Sequence, residues 1–520
     1  MSLVLTNGVV VDGTGTPPRR ADVLVDGGLV QAVGSIDAPA AEVRDVSGAV
    51  VCPGFVDIHT HSDLTVLSGP QALSKVHQGV TTEVVGNCGL GVAPLPDGAD
   101  HAAIRAAVSY LDLDPAVEWT WRDVTGYLDT VAAVRPSLNI ATLTGHLPLR
   151  AGVVGFDDRP ATAGELARMV DLLEASFAAG SVGLSTGLVY APLCYVRDAE
   201  LLALARAAAA HDRVFAWHVR DYADELLPSV AQALDISRQT GGRVQISHLT
   251  AVGRRNWGTV LRALELVDVA RAEGVDAGVD IYPYLYGNAP LAQLLPAWAQ
   301  EGGSDAMARR LRDDDVRARI RSGWQGRAVG WDEITVSWVP PGSRAESLVG
   351  QAVTSDDQAL DLLAEHTTQV LMIAGGRSED DLRAVLAHPA AVVASDGLCL
   401  DPYGVTGAGA PHPRSYGCFP RYLARYRGDD GDGGDDLAAA VARCTSAPAR
   451  VAGLDRGVLR PGGAADLVVF DPDRIADSAT ITEPQTYPDG IDLVMVGGEI
   501  VIDGGTHTGR RPGKAIRTRR

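Results

Sequence analysis

Several residues stand where they could do chemistry together. His59 and His61 lie two apart at the close of GFVDIHTH, and in an extended strand that spacing sends both imidazoles to the same face. Such a pair suits a shared metal ion. Cys88 after TTEVVGN, His218 in VFAWHV, His248 in VQISH and Asp396 in AVVASD each end a short apolar run in the same way. A thiolate and two imidazoles bind Zn²⁺ well, and three protein ligands leave a coordination position open for water or a substrate oxygen. A carboxylate beside them could act as general base and then general acid. Each residue also has a plainer reading. A lone Cys88 can be a buried inert thiol, a lone His248 a hydrogen-bonded core residue, and Asp396 the N-cap of a helix in SDG. His146, ending TLTGH, could line a pocket or make a structural hydrogen bond.

The elements that must position these residues follow from the apolar pattern. The runs GFVDIHTH, TTEVVGNC, NIATLTGH, GLSTG, VFAWHV, VQISHL, DAGVDIYPY, TQVLMIAGG and AVVASDG alternate with Ala/Leu-rich stretches such as AGELARMVDLLEASFAAG and DAELLALARAAAAHD. This alternation predicts parallel βα units, about eight of them, and hence an α/β protein with a (β/α)₈ TIM-like barrel. Active sites of such barrels sit at the carboxyl ends of the strands, where the candidate residues fall. Residues 1–55 read as short strands with Asn-Gly and Asp-Gly at hairpin positions, and ADLVVFDP and IDLVMVGGEIVIDGG repeat that texture near the other end. Residues 1–55 and 455–520 are therefore expected to form one discontinuous β-sandwich domain around a barrel over 56–454. Residues 291–345, helical and charged, break the rhythm and read as an insertion over the barrel. GDDGDGGDD at 428–436 reads as a solvated loop, without the closing Glu of an EF-hand.

Composition narrows the class of partner. A net charge of −20 disfavours nucleic acid and anionic lipid. No apolar run approaches the ~18–20 residues of a membrane span, and the amino terminus is unlike a secretory leader. Six scattered cysteines do not resemble a disulfide framework. The expected location is cytoplasmic and the expected partner a small molecule.

PGFVDIHTHSD resembles the opening metal motif of the amidohydrolase superfamily. GNCG, GLSTGLVYAP, ISHL, DIYPY, SDGL, HPRSYGCFPR and RGVLRPGGAADLVVFDP resemble blocks of one branch, the N-acyl-D-amino-acid deacylases, across nearly the whole chain. The resemblance implies that Cys88, His218 and His248 hold one tight Zn²⁺, with His59 and His61 serving a second, weaker or vacant site. Cys88 takes the place where relatives with two metals carry a bridging carboxylate. Asp396 would be the acid/base that carries a proton from water to the leaving amine of a linear amide. Tyr190, Thr250, Tyr284 and Arg414 occupy the positions that meet a substrate carboxylate. Thr250 departs from the pattern, standing where similar proteins place a lysine, and Tyr286 and Asn288 replace small hydroxyl residues after YPY. These departures point to a larger or less acidic amide. The rival readings are a cyclic amidase acting on a hydantoin, imide or dihydropyrimidine, and a zinc-stabilised scaffold without catalysis.

Overall fold

A computed structural model describes residues 2–427 and 437–518. The Gly-Asp-rich run at 428–436 lies outside the described residues. Eight strands, Phe55–Asp57, Val80–Val85, Asn139–Gly145, Gly183–Gly187, Val214–His218, Val244–Ile246, Ala277–Ile281 and Ala391–Val393, pair in chain order, every neighbour parallel. The sheet closes into a barrel between its first and last strands. There Thr60 bridges Gly397, the Asp396 amide donates to the His59 carbonyl at 2.8 Å, and the His61 amide donates to the Gly397 carbonyl at 2.8 Å. Strands covered on both faces must be apolar or internally paired throughout, and VTTEVV at 80–85 is buried at every position.

The seam is fastened beneath the mouth by a buried cation. Lys75 Nζ lies 3.0 Å from Asp57 Oδ2 and 3.1 Å from Glu83 Oε1, and donates to Ser395 Oγ at 2.6 Å. Asp57 in turn accepts the Ser395 amide at 2.9 Å. One lysine thus ties the first, second and last strands together just before Asp396. Around the barrel, amphipathic helices lay apolar faces on the sheet. Ala163–Ala178 starts at a capping box of Thr162 and Glu165 and buries Met169, Leu173 and Phe177, four residues apart.

Both termini feed a sandwich of two sheets. The smaller orders Leu29–Gly34, Asp22–Asp26, Leu3–Thr6 and Glu42–Asp45; the larger includes Val9–Val10 and Val50–Pro53 beside Leu467–Phe470, Ile491–Val496 and Glu499–Asp503. Leu5, Val23, Val25, Val51, Leu467 and Met495 fill the space between them. Asp26-Gly27 does turn a hairpin, since Asp22–Asp26 pairs antiparallel with Leu29–Gly34. Asn7-Gly8 does not. The strands on either side of it belong to different sheets, so this pair, with Asn7 at φ 64°, is a crossing between layers.

A second correction concerns TQVLMIAGG. Leu371–Ala374 is no barrel strand; it pairs antiparallel with Gly287–Pro290 and Ile334–Trp338 in a separate three-stranded sheet. An apolar run of strand length does not reveal its partner. With the helices Gly303–Arg310, Asp314–Trp324 and Asp356–His366, this sheet forms an insert with its own core around Leu291, Trp324, Leu360 and Met372. The insert roofs the carboxyl end of the barrel. Among the described residues, no helix is long and apolar enough to cross a membrane.

Candidate metal centre and substrate cavity

The residues that end the barrel strands converge at one point. Ligand atoms of His59, Cys88, His248 and Asp396, all buried, lie within 4.8 Å of one another. His59 Nε2 is 3.3 Å from Cys88 Sγ and 3.3 Å from Asp396 Oδ1; Cys88 Sγ is 3.6 Å from His248 Nε2, which is 3.1 Å from His218 Nδ1. His61 Nε2 stands 2.9 Å from Asp396 Oδ1. Zinc bonds of about 2.0–2.3 Å in a tetrahedron place neighbouring donors roughly 3.3–3.8 Å apart. The spacing fits.

His218 turns Nδ1 and His61 turns Nε2 toward the donor set, and the opposite nitrogens, His218 Nε2 and His61 Nδ1, are buried without a hydrogen-bond partner. Burial, the largest influence on each ring, drives His61 down to about 4 and His218 down to about 3. Neutral imidazole is the ligating form. Burial also pushes the Cys88 thiol up to about 11, so a nearby cation is needed to hold it as thiolate.

Backbone conformation marks the same residues. Cys88, His248 and Asp396 have φ of 53°, 35° and 50°, a left-handed region that costs a side-chain-bearing residue roughly 1–2 kcal/mol. Such strain gathers where geometry serves chemistry. No helix begins after Asp396, so its N-cap reading fails. At Cys88 the strain comes with a close approach: a Cβ on Gly187 would stand 2.1 Å from the Cys88 carbonyl oxygen. Glycine alone lets the fourth strand pass under that turn.

Residues around the centre fix its donors. Asp280 Oδ1 lies 3.0 Å from His59 Nδ1 and accepts the His248 amide at 2.8 Å. A carboxylate at Nδ1 turns Nε2 toward the centre, the usual outer support of a ligating histidine. Sequence spacing gave Asp280 no role, although it too closes an apolar run, in DAGVDIYPY. Burial alone would raise the Asp396 carboxyl, but the charges of Arg414, His59 and His248 hold it well below the usual carboxylate range.

A cavity of about 300 Å³ opens above these groups, between the barrel mouth and the insert. Tyr190, Thr250 and Asn288 line it; the Asn288 amide is committed to Ser337 Oγ at 3.1 Å and the Met372 carbonyl at 2.8 Å. Tyr284 and Arg414 are placed differently. The Tyr284 hydroxyl donates to Asp477 at 2.9 Å, and the tyrosine of YPY that lines the cavity is Tyr282. Arg414 sits behind Asp396, donating to it, to Tyr110 and to the Asn288 carbonyl. Tyr286 is 42% exposed. Outside the cavity, His146 is structural: Thr186 Oγ1 lies 3.0 Å from Nδ1, and Glu200, which also binds Arg150, 2.9 Å from Nε2. His412, two residues before Arg414, had no place in the sequence reading. It packs on Tyr282 and Tyr284, its Nε2 is 3.1 Å from the Tyr286 carbonyl, and its Nδ1 accepts the Arg414 amide at 3.0 Å.

Comparison with known proteins agrees with this geometry. The amidohydrolase family matches residues 42–502. The chain is 35% identical, over 99% of its own length and 96% of the relative's, to N-acyl-D-glutamate deacylase of Alcaligenes xylosoxydans xylosoxydans. This chain belongs to the amidohydrolase family, among the N-acyl-D-amino-acid deacylases. The structure of a Bordetella bronchiseptica N-acyl-D-glutamate deacylase, complexed with zinc and a phosphonate mimic of the tetrahedral intermediate, matches with a TM-score of 0.82. It is 35% identical, and the match covers 99% of both chains. A D-aminoacylase structure described by its binuclear metal centre matches with a TM-score of 0.80 and 32% identity, again over 99% of both chains. An amidohydrolase with a hydrolytic metal centre is thus the class of enzyme at hand.

Proposed function

We propose that this enzyme hydrolyses the linear amide of N-acyl-D-amino acids at a zinc centre, with Asp396 as the proton carrier. Cys88, His218 and His248, with His59 and His61 beside them, are the donors that would hold the metal, and Asp396 faces them; the structures of relatives support zinc and leave open one ion or two. Zinc held there supplies Lewis acidity, polarising a carbonyl oxygen and acidifying water.

The observation that carries the reading is the double engagement of Asp396. Its Oδ2 accepts from Arg414 at 2.6 Å, while Oδ1 faces His61 and His59 across 2.9 and 3.3 Å. One oxygen is thus anchored and the other points at the reacting space. Arg414 holds the carboxylate ionised, ready to take a proton from the attacking water and pass it to the departing nitrogen. The insert excludes bulk water above, which strengthens these charges. A scaffold protein would have no use for a strained, ionised carboxylate beside open donors. Six unpaired cysteines, five of them buried, support a cytoplasmic location.

The test is a substrate panel on zinc-loaded enzyme, read by mass spectrometry: N-acetyl-D- and L-amino acids, hydantoins and dihydrouracil. The reading expects two products, carboxylate and amine, from the D-series. A single ring-opened product, with linear amides untouched, would overturn it in favour of a cyclic amidase.

A further inference from the structure

We propose that Arg377 supplies the cation for the substrate carboxylate that Thr250 does not. This rests on the hydrolytic reading above.

The argument is a balance of charge around the cavity. Arg220, Arg327 and Arg377 line it, and Arg414 stands behind Asp396. Three of these four guanidinium groups already have hydrogen-bond partners, although Arg327 Nε is itself buried without one. Arg414 is paired with Asp396. Arg220 is held by the Gln232 side chain at 2.9 Å and the Val196 carbonyl at 2.8 Å. Arg327 lies over Trp331 and 3.4 Å from Asp356. The two arginines nearest Thr250 in sequence do not help: Arg255 pairs with Asp224 at 2.7 Å and Arg254 lies over Trp257. Thr250 itself brings no charge.

Arg377 is different. Its Nη1 is buried without a hydrogen-bond partner, and no ion pair to it occurs among the described residues. Its only compensation is the ring of Tyr282, 4.9 Å below. A cation–π contact offsets far less than the hydrogen bonds a guanidinium loses on leaving water. The backbone nevertheless makes room for it. A Cβ on Gly287, which also lines the cavity, would stand 2.6 Å from Arg377 Nη2. An unmatched planar cation in a walled cavity is complementary to a carboxylate, which it can grip with two parallel hydrogen bonds. The metal donors would meet the amide and Arg377 the acid, on the Tyr282 wall of the cavity.

The experiment compares N-acetyl-D-leucine, its carboxamide and N-acetyl-D-glutamate on wild type, Arg377→Met, Arg377→Lys and Gly287→Ala, with melting temperature as the folding control. Wild type is expected to favour the free acid, and Arg377→Met to lose about 10- to 100-fold on it, mostly in KM, while the carboxamide changes little. Arg377→Lys should recover part of the loss, and Gly287→Ala, which displaces the guanidinium, should reproduce part of it. Calorimetric binding of the acids to metal-free protein should weaken in parallel. If N-acetyl-D-leucine responds, the grip is on the α-carboxylate; if only N-acetyl-D-glutamate does, it is on the side chain. An acid-to-carboxamide ratio unchanged in folded Arg377→Met and Gly287→Ala would overturn the proposal. Absence of hydrolysis for every amide would instead defeat the hydrolytic reading, with the binding measurement still deciding Arg377.

Discussion

Arg414 donates from Nη1 to Asp396 Oδ2 across 2.6 Å, and the pair is almost wholly shielded from solvent. Asp396→Asn is expected to lower kcat by about 10²–10⁴ while zinc content stays near wild type. Arg414→Met should also slow turnover, and by leaving a buried carboxylate unmatched it should destabilise the fold by about 3–5 kcal/mol. Metal analysis, single-turnover kinetics and urea unfolding separate the two effects. An active Asp396→Asn enzyme would end the proton-carrier role.

Cys88 Sγ lies against both His59 and His248, whereas His61 turns Nε2 to Asp396 and meets His59 only ring edge to ring face. Cys88→Ala should therefore lose the tightly held zinc, and His61→Ala should retain it after dialysis. Asp280→Ala, which frees the His59 and His248 supports, is expected to weaken zinc binding by about 10- to 100-fold. Competition with a fluorescent chelator reads all three.

Gly187 packs under the Cys88 carbonyl with no room for a methyl group. Because the obstruction is backbone, Gly187→Ala must displace the strained Cys88 turn. Stability should fall by about 1–3 kcal/mol, and zinc stoichiometry should fall with it. A variant that binds a full complement of zinc would contradict this geometry.

Where the sandwich meets the barrel, His77 stacks on Tyr487 at 3.8 Å, and His507 lies 2.9 Å from Ser137 Oγ and accepts the Gly509 amide at Nδ1. Burial holds both rings below their ordinary value, His507 at about 4. The unfolded chain then binds protons that the folded one refuses, so stability is lost as pH falls from about 6.5 toward 4. Urea midpoints between pH 7.5 and 5 should show this decline, and His507→Gln should lessen it.

The residues that converge at the candidate metal centre were legible in the sequence because each ends a strand, and a strand end in a parallel barrel has one destination. His59, His61, Cys88, His218, His248 and Asp396 all follow that rule. The cavity wall was not legible, because it comes from a second element whose pairing no local pattern encodes. TQVLMIAGG has the texture of a barrel strand, yet it forms the insert sheet and carries Arg377 to the roof. Within YPY, Tyr282 and Tyr284 differ only in which way a turn points them. Asp280 could have been found, since it closes an apolar run as His59 and Asp396 do; what hides it is that its partners are the ligands and not the metal.

The seam of the barrel and the metal centre are the same few residues. The hydrogen bond from the Asp396 amide to the His59 carbonyl closes the sheet, and His61 and Asp396 meet across 335 positions of chain. Contacts so distant in sequence form late in folding. A nascent chain would then not bring Asp396 against His59 and His61 until its last strand, Ala391–Val393, has docked against its first. Activity regained during refolding would report that final docking, after the zinc donors supplied by the earlier strands have already come together.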